Sequence, residues 1–177
     1  MAMRLLAGIA SFTLVLAACG GTAAAPSPSR TPSPSPTASP SPTPTPAPTF
    51  KAELKSSNEN PPITDAEASC SGNATVTFSG TSVKFDVVIS GCPATTAINI
   101  GHIHEGAAGV NGPVRIDTGL KAGDLTLTAG GVTFTRTVTG DAAIISQVLA
   151  NPAGWYVNFH STLHGGGVIR GQLTKAS

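Results

Sequence analysis

Ten of the chain's fifteen prolines fall between Pro26 and Pro48, most alternating with serine or threonine, as in Pro32-Ser33-Pro34-Ser35-Pro36 and Thr43-Pro44-Thr45-Pro46. Proline fixes φ and carries no amide hydrogen, so such a run lacks the donors for a helix or a sheet and favours extended polyproline II. No aromatic residue lies between Gly20 and Thr49 to seed a core. At about 3.1 Å per residue, these residues reach at most roughly 90 Å. They divide the 177 residues into a leader (1–18), a linker (19–49) and a segment, 50–177, long enough to bury a core.

The leader has one basic residue near its start, Arg4, then an apolar run from Leu5 to Leu16 that ends in small residues. This is the layout of a secretory signal peptide, and the run is short for a membrane span. Leu16-Ala17-Ala18-Cys19-Gly20 resembles the bacterial lipobox, in which the cysteine thiol receives a diacylglyceryl group and cleavage falls before the cysteine. The resemblance implies lipidation at Cys19. Each buried acyl CH₂ contributes about 0.8 kcal/mol, so two or three chains anchor a protein stably. The expectation is a domain held outside the cell membrane or outer membrane on an extended stalk.

Residues 50–177 read as short alternating segments punctuated by glycine. The strand candidates are 50–55, 73–79, 82–90, 95–104, 113–118, 132–139, 154–160 and 168–174. Val83, Phe85, Val87 and Ile89 alternate with polar neighbours, and Val88 breaks the pattern. Period two with one apolar face predicts an all-β antiparallel sandwich or barrel. One short helix is expected over 142–150, capped by Asp141 and stopped by Asn151-Pro152, with Ile145, Val148 and Leu149 on one face.

Beyond Cys19 only Cys70 and Cys92 remain. An oxidising exterior makes them a disulfide candidate, with two buried free thiols as the alternative. A Gly80-Thr81-Ser82 loop with Ser79 opposite Val83 would bring Cys70 opposite Cys92 on counting back along both strands.

Charged residues make up 11% of the chain and the formal net charge is +1. No field of one sign is available for nucleic acid. The nine carboxylates include no pair recognisably spaced for acid–base work, and no nucleophile elbow occurs. The module is therefore expected not to be an enzyme. Glu59 is expected to accept from backbone amides of the Pro61-Pro62 turn.

The four histidines fall in two places, His102-Ile103-His104 and His160 with His164. If Ile103 faces the core, His102 and His104 share the outer face. If Trp155, Val157 and Phe159 face inward, then Tyr156, Asn158 and His160 face outward, as does Arg170 beside Ile169. A polar cluster of His102, His104, Asn158, His160 and Arg170 follows if these strands are neighbours.

Asn58-Glu59-Asn60-Pro61-Pro62, Gly101-His102-Ile103-His104-Glu105-Gly106, Gly112-Pro113-Val114, Tyr156-Val157-Asn158-Phe159-His160-Ser161 and Ile169-Arg170-Gly171-Gln172-Leu173 occur in this order. Together they resemble the CHRD domain, the module named after chordin. The resemblance implies a sandwich of immunoglobulin-like or superoxide-dismutase-like shape. In chordin the module belongs to an extracellular protein that binds and restrains bone morphogenetic proteins. Its bacterial relatives are commonly exported proteins without an assigned activity. Val168 stands where the family often has glutamate, and the cysteine pair is not a general family feature. The His-x-His strand with a later strand-end histidine is also similar to the copper site of copper/zinc superoxide dismutases. That resemblance implies His102, His104 and His160 as copper or zinc ligands, with His164 as a fourth. No histidines are left for a second, zinc subsite, which argues against dismutase chemistry.

Three readings of the cluster stand open on the sequence. It is a hydrogen-bonded network pinning the Glu105–Gly112 loop, with Gly106, Gly109 and Gly112 supplying positive φ. It is a site for a divalent metal. Or it is a surface for an extracellular protein or glycan. The leading expectation is a membrane-anchored, non-enzymatic binding or scaffold module, with a copper- or zinc-binding lipoprotein as the alternative.

Overall fold

The computed structural model describes residues 46–176. The signal-peptide reading, Cys19 and nearly all of the proline-rich linker lie outside the described residues.

Nine strands follow in chain order: β1 (Thr49–Lys55), β2 (Ser71–Ser79), β3 (Ser82–Ser90), β4 (Ile98–Glu105), β5 (Val114–Asp117), β6 (Val132–Thr139), β7 (Trp155–Ser161), β8 (Ile169–Gln172) and β9 (Thr174–Lys175). They form one antiparallel sheet in the order β5-β4-β7-β8-β1-β2-β3-β6, with β9 also paired to β1. The sheet is nearly closed into a barrel. The expected all-β architecture with one short helix is what the chain adopts.

Alternation produces the closure. Ala74, Val76 and Phe78 of β2 and Val83, Phe85, Val87 and Ile89 of β3 are buried, while Val88 is exposed. Phe134 of β6, at one end of the strand order, meets Phe159 of β7 edge-on, with ring centroids 5.7 Å apart. Ile116 of β5, at the other end, belongs to the buried cluster against which Phe134 packs, so the two ends of the sheet share one core. The α-helix α1 (Ala142–Ala150) begins at Asp141, whose carboxylate accepts from the amides of Ala143 and Ile144. It buries Ile145 and Val148 against this core, but Leu149 is 38% exposed, contrary to expectation. A nine-residue helix turns only part of its surface inward, and position 149 falls beyond that stripe.

The β2–β3 hairpin corrects the expected register by one residue. Ser79 pairs with Ser82 and Phe78 with Val83. Directly opposed residues share a face, so inward Val83 belongs opposite inward Phe78 rather than opposite outward Ser79. The loop is then Gly80-Thr81, with Gly80 at φ 58° supplying the positive φ of a tight hairpin. Cys70 and Cys92 are nonetheless joined in a disulfide, with their Cα atoms 4.2 Å apart. Both lie just beyond the ladder, which ends at Ser71 opposite Ser90, and Gly91 turns the chain at φ 71°. The expected disulfide is present, although the ladder's register does not set Cys70 directly opposite Cys92.

Candidate metal centre

Strands β4, β7 and β8 lie side by side, and their register sets the site. His102 is opposite Asn158, which is opposite Arg170; His104 is opposite Tyr156, and Ile100 opposite His160. Because β7 is central, the outward side chains of all three strands form one patch. His102, His104, Asn158, His160 and Arg170 are brought together as the alternation implies.

The patch is not an open surface. Every residue of β7 is buried, on both faces. Asn158 is 2% exposed, Arg170 3%, His160 6% and His104 7%. The cover has no periodicity to reveal it in the sequence. It is made of 58–60 and the loop 106–112. Arg170 donates to the Val110 carbonyl and to Asn111 Oδ1. Asn60 Nδ2 donates to the Gly109 carbonyl, and Asn111 Nδ2 returns a bond to the Asn60 carbonyl. The Gly112 amide donates to the Tyr156 hydroxyl, and Gln172 donates to the Gly106 carbonyl. Of the three glycines assigned positive φ in this loop, only Gly109 has it, at 77°. Gly112 is needed for a different reason: a Cβ there would collide with the Glu105 carbonyl.

Glu59 differs from its expected role. Its carboxylate is buried and lies 3.1 Å from Arg170 Nε, out of line for a hydrogen bond, so the pairing is coulombic. Burial pushes the Glu59 carboxyl up to about 7, and the Arg170 charge only partly opposes this. Glu59 Oε1 and Asn158 Oδ1 have no hydrogen-bond partner.

The three histidines are held in defined protonation states. His104 Nδ1 lies 2.9 Å from the Gly112 carbonyl, and His160 Nδ1 lies 3.0 Å from the Gly165 carbonyl. A carbonyl only accepts, so both Nδ1 atoms carry the hydrogen and both Nε2 atoms are left with a lone pair. His160 Nε2 faces His102 Nδ1 at 3.1 Å, and His104 Nε2 is buried without a partner. Burial, more than any neighbouring charge, lowers all three imidazoles below the ordinary histidine value, His102 to about 4. Neutral imidazoles are what a metal ion requires.

One ring nitrogen from each of His102, His104 and His160 lies within 4.8 Å of the other two. Three such points fit within roughly 2.8 Å of a common centre, and zinc–nitrogen bonds are about 2.0–2.1 Å. A shift of less than about 1 Å per ring closes the difference. Carbonyls bonded to the far nitrogens of two of the rings are the outer-shell orientation that metal-binding histidines use. His164 is not part of this group. Its Nε2 lies 2.9 Å from Asp65 and 3.7 Å from Glu67. Glu67 in turn accepts from Ser161 Oγ, so these residues hold the 161–167 turn that presents Gly165.

Tyr156 is the residue that the sequence-based cluster omitted. Its ring stacks on His104 at 4.8 Å and 8°, and Arg170 lies 5.0 Å over its centroid. Its place two residues before Asn158 on the same strand face was the available signal.

A sequence model described as CHRD domain matches residues 50–173. No curated protein and no solved structure matches the chain.

Proposed function

This chain belongs to the CHRD domain family, and from that premise we propose that it is an extracytoplasmic binding module whose binding element is a three-histidine site for a transition-metal ion. The observation that carries the reading is the convergence of His102, His104 and His160, with two Nε2 lone pairs fixed by backbone carbonyls. An all-imidazole set suits copper or zinc and offers nothing to calcium or magnesium, which take oxygen ligands. Lipidation at Cys19 and the proline-rich stalk would hold the domain outside the membrane. No described helix is long and apolar enough to cross one. The module is read as non-enzymatic: it holds the ion and orders the loops around it.

Calorimetric titration of the purified protein with Cu²⁺ and Zn²⁺ tests the site. One equivalent is expected to bind, and His102→Ala/His104→Ala is expected to abolish binding. No saturable binding, or binding unchanged in that variant, disposes of the reading. Anchoring is tested separately, since Cys19→Ser should move the protein from the membrane to the soluble fraction.

A second reading has its own support. Arg170, Tyr156 and Gln172 spend their polar atoms on the 106–112 loop, which is scaffold work. The two readings meet at His104, which clamps Gly112 through Nδ1 and leaves Nε2 free.

A further inference from the structure

We infer that the ion held by His102, His104 and His160 keeps one exchangeable coordination position, open toward β5, that takes a small monovalent anion. The inference rests on the metal reading and adds the class of ligand that the loaded site binds.

The described residues supply three ligands and no carboxylate or thiolate among them. A divalent ion in this set keeps its full double charge. In a site where His104 and His160 are less than a tenth exposed, that charge is poorly compensated by water. Nitrogen sites with three protein ligands complete tetrahedral coordination with a solvent or substrate ligand. An anion there neutralises part of the charge, whereas a neutral ligand does not.

The direction of approach follows from the cover. His104 is closed in by Gly112 and Tyr156, and His160 by the turn carrying Gly165. His102 is partly exposed, and Ile100, opposite His160 on the same outer face of β4, is 36% exposed. The opening is therefore at the His102 edge, beside β5. There Asp117 is directly opposite His102. Its exposed carboxylate accepts from the Gly119 amide. An anion entering on this side meets the attraction of the ion and the weaker, solvent-screened repulsion of Asp117.

The test uses the intact protein loaded with one equivalent of Cu²⁺, azide as the probe and the azide-to-copper charge-transfer band as the readout. Loading is verified first by calorimetry, so failure of the metal reading is seen before azide is added. A saturable band with one azide per copper is expected. Asp117→Asn, at the exposed end of β5, should still load copper and should bind azide about threefold more tightly, the effect of removing one screened negative charge. A fully loaded protein whose spectrum azide leaves unchanged overturns the inference, because the fourth position is then filled by the protein. Weaker azide binding in Asp117→Asn overturns it as well, because the anion then does not enter beside that carboxylate.

Discussion

His102 Nδ1 and His160 Nε2 face each other at 3.1 Å across two adjacent strands, joined by an imidazole–imidazole hydrogen bond that a metal ion would replace. His160 Nδ1 is committed to the Gly165 carbonyl, so the hydrogen in this bond belongs to His102. On metal binding His102 must give up that hydrogen or change tautomer, while His104 and His160 are already set. Losing His160 removes a ligand, whereas losing His164 only loosens the turn that carries Gly165. Calorimetry should find copper affinity at least about a hundredfold weaker in His160→Ala and less than about tenfold weaker in His164→Ala. Equal losses in the two variants would count against the ligand set.

Arg170 is the hub of the cover over the patch, reaching Glu59, Val110 and Asn111. Arg170→Met leaves the buried Glu59 carboxylate without its counter-charge and frees the 106–112 loop. A loss of about 3 kcal/mol is expected at pH 8, the scale of breaking a buried pair from one side. Glu59→Gln/Arg170→Met should recover part of it, because no unpaired charge remains. Denaturant unfolding of the two variants measures this, and amide exchange at Gly112 should quicken in both.

The strands were legible because inward Val83, Phe85, Val87 and Ile89 alternate with polar neighbours, and a half-buried strand cannot hide that pattern. The helix was legible from its ends, Asp141 and Asn151-Pro152. The grouping of the histidines was legible in direction but not in depth. Strand periodicity says that Asn158 and His160 leave the core, but it does not say what lies above them. The cover from 58–60 and the 106–112 loop is held by side chain-to-carbonyl bonds, which leave no spacing in the sequence. The hairpin register is recoverable from the sequence, because the rule that opposed residues share a face pairs Val83 with Phe78.

The disulfide closes a loop of sequence separation 22 around the whole β2–β3 hairpin. Cys70 and Cys92 are both buried, so the bridge is continuous with the core. In the chain-entropy picture it stabilises the domain by about 3 kcal/mol, mainly by restricting the unfolded chain. Cys70→Ser/Cys92→Ser should lower unfolding stability by about that amount and leave copper affinity within a few-fold, since neither cysteine touches the histidine patch. Chemical denaturation and calorimetry on the same variant check both halves.

Glu59 gives the domain a pH dependence opposite in sign to that of most acids. Its folded-state value is raised from the ordinary 4.5 to about 7 because burial disfavours the carboxylate, despite Arg170. Between those values the folded chain holds a proton that the unfolded chain has released. Stability from this group therefore rises as pH falls from about 7 to 4.5 and levels off below, where both states are protonated. Buried histidines work the other way. His102, lowered to about 4, favours the unfolded chain as pH falls below the ordinary 6.5. The net curve mixes the two, so the comparison that isolates Glu59 is wild type against Glu59→Gln, which keeps every histidine and cannot titrate. Their difference in unfolding free energy should move in favour of wild type on going from pH 7.5 to 4.5. A difference that stays flat across that window would mean that Glu59 remains an ionised partner of Arg170 throughout.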